Sequence, residues 1–140
     1  MSSSGKGALT LFGLTGQAMS AQLVRMNTAA SNLANAGTVA SNAQGAYRPL
    51  KAVFATVLDR STGLASVKVQ GVYQSGATPV RTHNPDHPLA DANGDVWSSP
   101  VDENAEMVEM TESARQYQNV VEAMQTGKQL MLDTLRMKTT

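Results

Sequence analysis

"AASNLANAGT", residues 29–38, closes a long run of apolar positions spaced three and four apart with small residues and asparagines. A helix on a globular surface normally carries charge on the face turned away from its core. Here that charge is missing: from Ala8 to Asn35 the only charged residue is Arg25, and no acid occurs before Asp59. The fold turns on how such a helix is ended and covered.

Working back from the stretch, Leu9, Phe12, Gly16, Met19, Leu23, Met26, Ala30 and Leu33 form four heptads of a coiled-coil-like stripe. Continuous helix over about 28 residues would be about 42 Å long. Gly37 is placed to act as the C′ terminator. The other end of the chain repeats the spacing through Met107, Met110, Ala114, Tyr117, Val121, Met124, Lys128, Met131 and Leu135, with Lys128 the one interruption. Pro100 stops what precedes, Asp102 or Asn104 can cap, and Glu103, Glu106, Glu109 and Glu112 suit the positive end of a helix. Lys128, Arg136 and Lys138 suit its negative end.

Between the flanks the pattern changes. All five prolines lie in residues 49–100, and none of the eight methionines lies in 37–101. "AVFATVL" (52–58) and "ASVKVQGVY" (65–73) alternate and are rich in β-branched residues, with the turn signal "DRSTG" between them. "TPVRT" (78–82) reads as an edge piece, because Pro79 cannot donate to a ladder. Asn93-Gly94 is a type I′ hairpin candidate. The expected fold class is therefore α+β: long N- and C-terminal helices packed as a coiled-coil-like pair, around a small β-rich and loop middle. The divisions are 1–36, 37–101 and 102–140.

The whole chain, 140 residues and 14.8 kDa with eleven basic and eleven acidic side chains, has room for one ordinary domain. Its zero formal charge gives no ground for a nucleic-acid or anionic-membrane partner. No run reaches the roughly 20 apolar residues of a membrane span. Without cysteine, disulfides and thiolate metal sites are excluded. Residues 1–20 are broken by Gly13, Thr15, Gly16 and Gln17, and the periodic pattern runs through any cleavage point, against a secretory signal.

Ser, Thr, Gln, Asn, Ala and Gly fill the first helix opposite its stripe, a surface too polar for lipid and too uncharged for free water. Small residues let backbones approach, and Gly13 and Gly16 each cost about 1 kcal/mol of helix propensity that contacts must offset. Patterning alone leaves two readings open: a monomeric hairpin whose stripes bury each other, or helices completed by packing among several subunits.

Three segments carry a resemblance. "AASNLANAGT" followed by "YRPLKAVF" (47–54) resembles the N-terminal signature of the bacterial flagellar rod and hook axial proteins, through Asn32-Leu33-Ala34-Asn35 and then Tyr47-Arg48. The linker "VASNAQGA" (39–46) suits the proximal-rod branch of that family. "NPDHPLADANGDVWSSPVDENAEMVEM" (84–110) resembles its middle motif and "ARQYQNVVEAMQTGKQLMLDTL" (114–135) its C-terminal helix, so nearly the whole chain is covered, least well in 59–80. Asp95 stands where an aromatic often follows the glycine, with Trp97 nearby, and Gln116 replaces a commoner serine.

The resemblance implies a structural subunit of the flagellar basal-body rod in the periplasm. It implies delivery unfolded through the flagellar export apparatus without a cleaved signal peptide, which suits a flexible opening "MSSSGKG" (1–7). The implied partners are proximal and distal rod proteins, the adaptor joining the rod to the membrane ring, and copies of the chain itself, with no nucleic acid and no membrane insertion. Phe12, Met19, Leu23, Met26 and Leu33 are expected against Met110, Tyr117, Val121, Met124, Met131 and Leu135, with methionine adapting to unlike neighbours. Asn32 and Asn35 are expected to bond where helices of several subunits meet; ordinary helix C-capping is the competing role. Another rod paralogue is the nearest rival, and a soluble helical-hairpin binding module or export chaperone is the rival of a different class.

No residues call for catalysis or a cofactor. His83 and His87, near Asp86 and Asp91, have a metal-like spacing only on a helix, which Pro85 opposes. "DANGD" (91–95) has its glycine two positions too early for a calcium loop, and no bidentate glutamate follows. No nucleophile elbow or phosphate loop is present. Lys128 fits the seam with its stem packed and its ammonium in water, or paired with a neighbouring subunit's carboxylate.

Overall fold

The computed structural model describes residues 3–138, and of residues 3–6, 8 and 9 the backbone alone. Leu9 therefore lies outside the described side chains, and Met1 and Ser2 outside the described residues. Helix α1 spans Ser3–Ala34, so it takes in most of the opening expected to be flexible. Helix α2 spans Glu103–Lys138. The two run antiparallel. Arg25 pairs with Glu109 near one end, and near the other Leu11 covers Gly127 so closely that a Cβ there would come 2.5 Å from its Cδ2.

The helix ends are set by side chains. The Asn35 amide Nδ2 and backbone N–H donate to the Ser31 carbonyl at 2.8 and 3.2 Å, while Thr38 donates to the Asn35 carbonyl through its N–H and its hydroxyl. Asparagine and threonine thus close α1. Gly37, expected as the left-handed terminator, is not one: positive φ among the described residues is confined to Gly63 (71°) and Gly94 (74°). At the start of α2 the Asp102 carboxylate accepts from the Asn104 and Ala105 N–H groups at 3.0 and 3.1 Å, the N-cap that the sequence offered.

Five strands fill the middle: β1 (Val39–Ala40), β2 (Leu50–Asp59), β3 (Leu64–Gln74), β4 (Val80–His83) and β5 (Asp95–Ser98). β2 and β3 form a two-stranded ribbon; Val53 opposes Gly71 and Phe54 opposes Val69, so Gln70 is bulged out. Its turn is closed by the Gly63 N–H donating to the Asp59 carbonyl at 2.8 Å. Ser61 donates twice to the Asp59 carboxylate, which holds its pKa below the ordinary carboxylate value. The second sheet has the order β1-β5-β4, all antiparallel, with the segment after Pro79 at its edge.

Asn93-Gly94 does not make a type I′ turn, because Asn93 has no positive φ. Instead the Gly94 N–H donates to the Asp91 carbonyl and the Asp91 N–H to the Asp95 carbonyl, both at 2.9 Å. This is a type I turn followed by a left-handed glycine bulge, the usual three-residue hairpin solution.

Burial is concentrated at one end of the helix pair. The buried residues described in the helices are Ala21, Thr28, Ala29 and Asn32 of α1 and Ser113 of α2, all small. Ala46 and Pro49 of the linker join them, Asp95 and Val96 are buried in the three-stranded sheet, and Pro79 and Ser99 are buried beside it. No described residue of 10–20 or 114–138 is fully buried. The fully buried residues of the helix pair are therefore small ones, and Leu23, expected to face α2, is 42% exposed. It stands two residues after buried Ala21, about 200° further round the helix.

Candidate functional site

For a chain of this kind the functional features are surfaces and the joints that orient them. The first joint is built on Asn32. Its amide is 1% exposed and spans the backbone of Leu50: Nδ2 donates to the Leu50 carbonyl at 2.9 Å, and the Leu50 N–H donates to Oδ1 at 2.7 Å. The Tyr47 hydroxyl donates to the same Oδ1 at 2.9 Å and lies 3.4 Å from the Ser31 hydroxyl. Asn32, expected to bond across subunits, thus bonds within its own chain, because the linker folds back over the last turns of α1. Asn35 caps α1, the competing role weighed for it.

The second joint is Arg25, the lone charge of residues 8–35. Its Nε and Nη2 donate to the two carboxylate oxygens of Glu109 at 2.7 and 3.0 Å, and Nη1 donates to the Gln22 side chain at 3.0 Å. This fork raises the guanidinium pKa above its ordinary value, the bond to Glu109 being the main cause. With Arg25 turned toward α2, the outward side of α1 beyond Gly7 carries no charge of its own.

The apolar stripe reaches that side only in part. Phe12, Met19, Met26 and Leu33 are half-buried and Leu23 is exposed. On α2, Met110, Tyr117, Val121, Met124 and Met131 are half-buried toward α1 in the line of buried Ser113, whereas Leu135 is 56% exposed. Leu130 and Met137 are likewise exposed, and Lys128 reaches solvent. The ribbon leaves Val57, Leu58, Leu64 and Val67 exposed near its tip, where a groove of about 550 Å³ separates it from Thr10, Gly13, Leu14 and Gln17 of α1.

A third cluster was not anticipated. Asp95, buried at the start of β5, accepts from Arg81 Nε at 2.7 Å and from Arg81 Nη2, and sits 2.9 Å from His83 Nδ1. The Arg81 guanidinium lies 5.9 Å from the Trp97 ring centroid. His83 first and Arg81 second hold the Asp95 pKa below the ordinary carboxylate value. Alternation on adjacent strands brings these residues together: His83 faces Asp95 and Arg81 faces Trp97. His87 accepts the Leu89 N–H at Nδ1. Among the described residues no three His, Cys, Asp or Glu side chains gather as a metal site, and no helix is long and apolar enough to cross a membrane.

Comparison with known proteins bears on these surfaces. A family profile described as "Flagellar basal body rod FlgEFG protein C-terminal" matches residues 92–137, that is, β5 and nearly all of α2. The flagellar basal-body rod protein FlgC of Salmonella typhimurium is 40% identical over 127 residues, covering 91% of this chain and 95% of the relative. The FlgC proteins of Yersinia enterocolitica (38% over the same shares) and Agrobacterium fabrum (28%, 87% of this chain and 88% of the relative) are similar as well. These names describe structural rod proteins rather than enzymes. With identity at that level running from α1 through α2, the chain belongs to the FlgC family of flagellar basal-body rod proteins and is a structural subunit of the rod.

Proposed function

We propose that the chain builds the proximal rod by helical stacking, residues 1–36 and 102–140 forming the axial helical core and 37–101 lying on its outside. Copies join through heterologous contacts, which extend a filament instead of closing a ring. Neighbours are other proximal and distal rod proteins, the adaptor to the membrane ring and copies of the chain itself. The assembled shaft carries torque across the periplasm, reached through the flagellar export apparatus without cleavage of a signal peptide.

One observation supports this reading above the others. The stripe of α1 is not closed within the chain: Leu23 is exposed and Phe12, Met19, Met26 and Leu33 are half-buried, in a stretch whose lone charge, Arg25, is turned to α2. Phe12, Met19, Leu23, Met26 and Leu33 of one subunit then meet α2 stripes of its neighbours, completing coiled-coil-like packing that a single chain leaves open, with Asn35 and Leu135 at its margins. Burying a Leu or Met side chain contributes roughly 1.5–3 kcal/mol. Several of them offset the ordering of helix halves that hold no fully buried residue.

The test is Leu33→Asp in a strain lacking the native copy. Rods should be absent from purified basal bodies and motility lost, while the chain is still exported and its circular dichroism matches the parent. Normal motility in that strain would contradict the packing assignment.

A further inference from the structure

We infer that the Asn32–Leu50 clamp closes within the single chain, before assembly, and fixes the direction in which the β2–β3 ribbon leaves the helices. The inference does not depend on which neighbours the rod supplies.

Leu50 is the first residue of β2 and pairs with Gln74. One step earlier the Ser75 N–H donates to the Pro49 carbonyl at 2.7 Å. Antiparallel ladders alternate, so Leu50 turns both its N–H and its carbonyl away from β3. Both groups point at α1, and both are taken by the side-chain amide of Asn32, at 2.7 and 2.9 Å. Asn32 acts as a one-residue third strand.

Asparagine alone fits this geometry. It presents a donor and an acceptor in one plane at the reach of a single methylene. Aspartate would set a carboxylate oxygen against the Leu50 carbonyl; glutamine adds a carbon to a site that is 1% exposed. The Tyr47 hydroxyl fills the second lone pair of Oδ1.

Every partner of the clamp belongs to the same chain, and its surroundings are already dry. Ala29 is 1% and Ala46 6% exposed, so α1 and the linker close over it together. A polar amide in such a place stays only while it is bonded. The clamp also encloses β1, which pairs with β5 through Val39–Ser98 and Ala40–Trp97. One side chain thereby ties α1 to the ribbon and, through β1, to the three-stranded sheet. The first asparagine of the Asn-Leu-Ala-Asn segment orients the subunit's outer parts, and the apolar stripe beside it is left to the neighbours.

Amide hydrogen exchange of the full-length, unassembled chain tests this. The Leu50 N–H should be protected roughly 100-fold or more over an unstructured peptide. Asn32→Asp should reduce that protection at least tenfold while Thr82 and Val96 in the other sheet keep theirs. Tyr47→Phe, which spares both Leu50 bonds, should reduce it by only about fivefold. Exchange of Leu50 at the unstructured rate in the parent chain overturns the inference, whether or not the rest is folded. Unchanged protection in Asn32→Asp overturns it equally. Neither result bears on whether Leu33→Asp blocks rod assembly.

Discussion

Leu23→Ala separates the contacts a subunit makes within itself from those it makes with others. Leu23 keeps 42% of its surface exposed, on the side of α1 away from buried Ala21. For leucine that is on the order of 75 Å² still open to water, and covering it is worth about 2 kcal/mol at 25 cal/mol per Å². Alanine would recover little of that, leaving a deficit of about 1.5 kcal/mol, or roughly tenfold, for each subunit added. In the isolated chain the same change falls among exposed substitutions, within about 0.5 kcal/mol. Two measurements are paired: the urea midpoint of the purified chain, and the yield of complete basal bodies from a complemented strain. The midpoint should hold while the yield falls about tenfold. A loss of more than about 1.5 kcal/mol in the chain alone would put Leu23 in its own core. An unchanged yield would mean that no neighbour covers it. Either result refutes the reasoning.

Other perturbations address the joints. Arg25→Met removes the fork to Glu109 and strands a carboxylate that is 40% exposed; the chain should lose about 1–2 kcal/mol in urea unfolding, less in high salt. Gly94→Ala forces a side chain onto a φ of 74° and brings its Cβ to 3.0 Å from both His83 Cε1 and Pro85 Cβ, which should cost about 1–3 kcal/mol in the same assay. The Asp95 pKa is lower in the folded chain than in the unfolded one, so the unfolded chain binds the proton first. Stability from Asp95 is then present above its unfolded value of about 4 and is lost as pH falls through the depressed folded value. The gap in urea midpoint between parent and Asp95→Asn should hold from neutral pH down to about 5 and narrow below about 4.

Much of the fold was legible because it rests on local signals. Three-four spacing marked both helices, Asp102 announced the start of α2, and alternation on either side of "DRSTG" gave the ribbon. What escaped were features that sequence periodicity does not carry. The buried residues of α1 are Ala21, Thr28, Ala29 and Asn32, residues with little apolar weight, so the spacing of large side chains did not mark them. The Asn32 clamp joins residues 18 apart and depends on how the linker folds back. The Asp95 cluster depends on the register of β4 against β5, which the Asn93-Gly94 turn candidate did not specify. Gly37 looked like a helix terminator, but α1 ends through bonds from Asn35 to the Ser31 carbonyl and from Thr38 to the Asn35 carbonyl, without a left-handed glycine.

The central claim is that the open stripe of α1 is covered by other subunits. The chain has no cysteine, so Leu23→Cys in a motile strain gives a single thiol at the middle of that stripe. Its maleimide labelling rate in the unassembled chain, compared with that in purified basal bodies, measures the covering directly. The free chain should label readily and the rod at least about 100-fold more slowly. Equal rates in the two would contradict the claim.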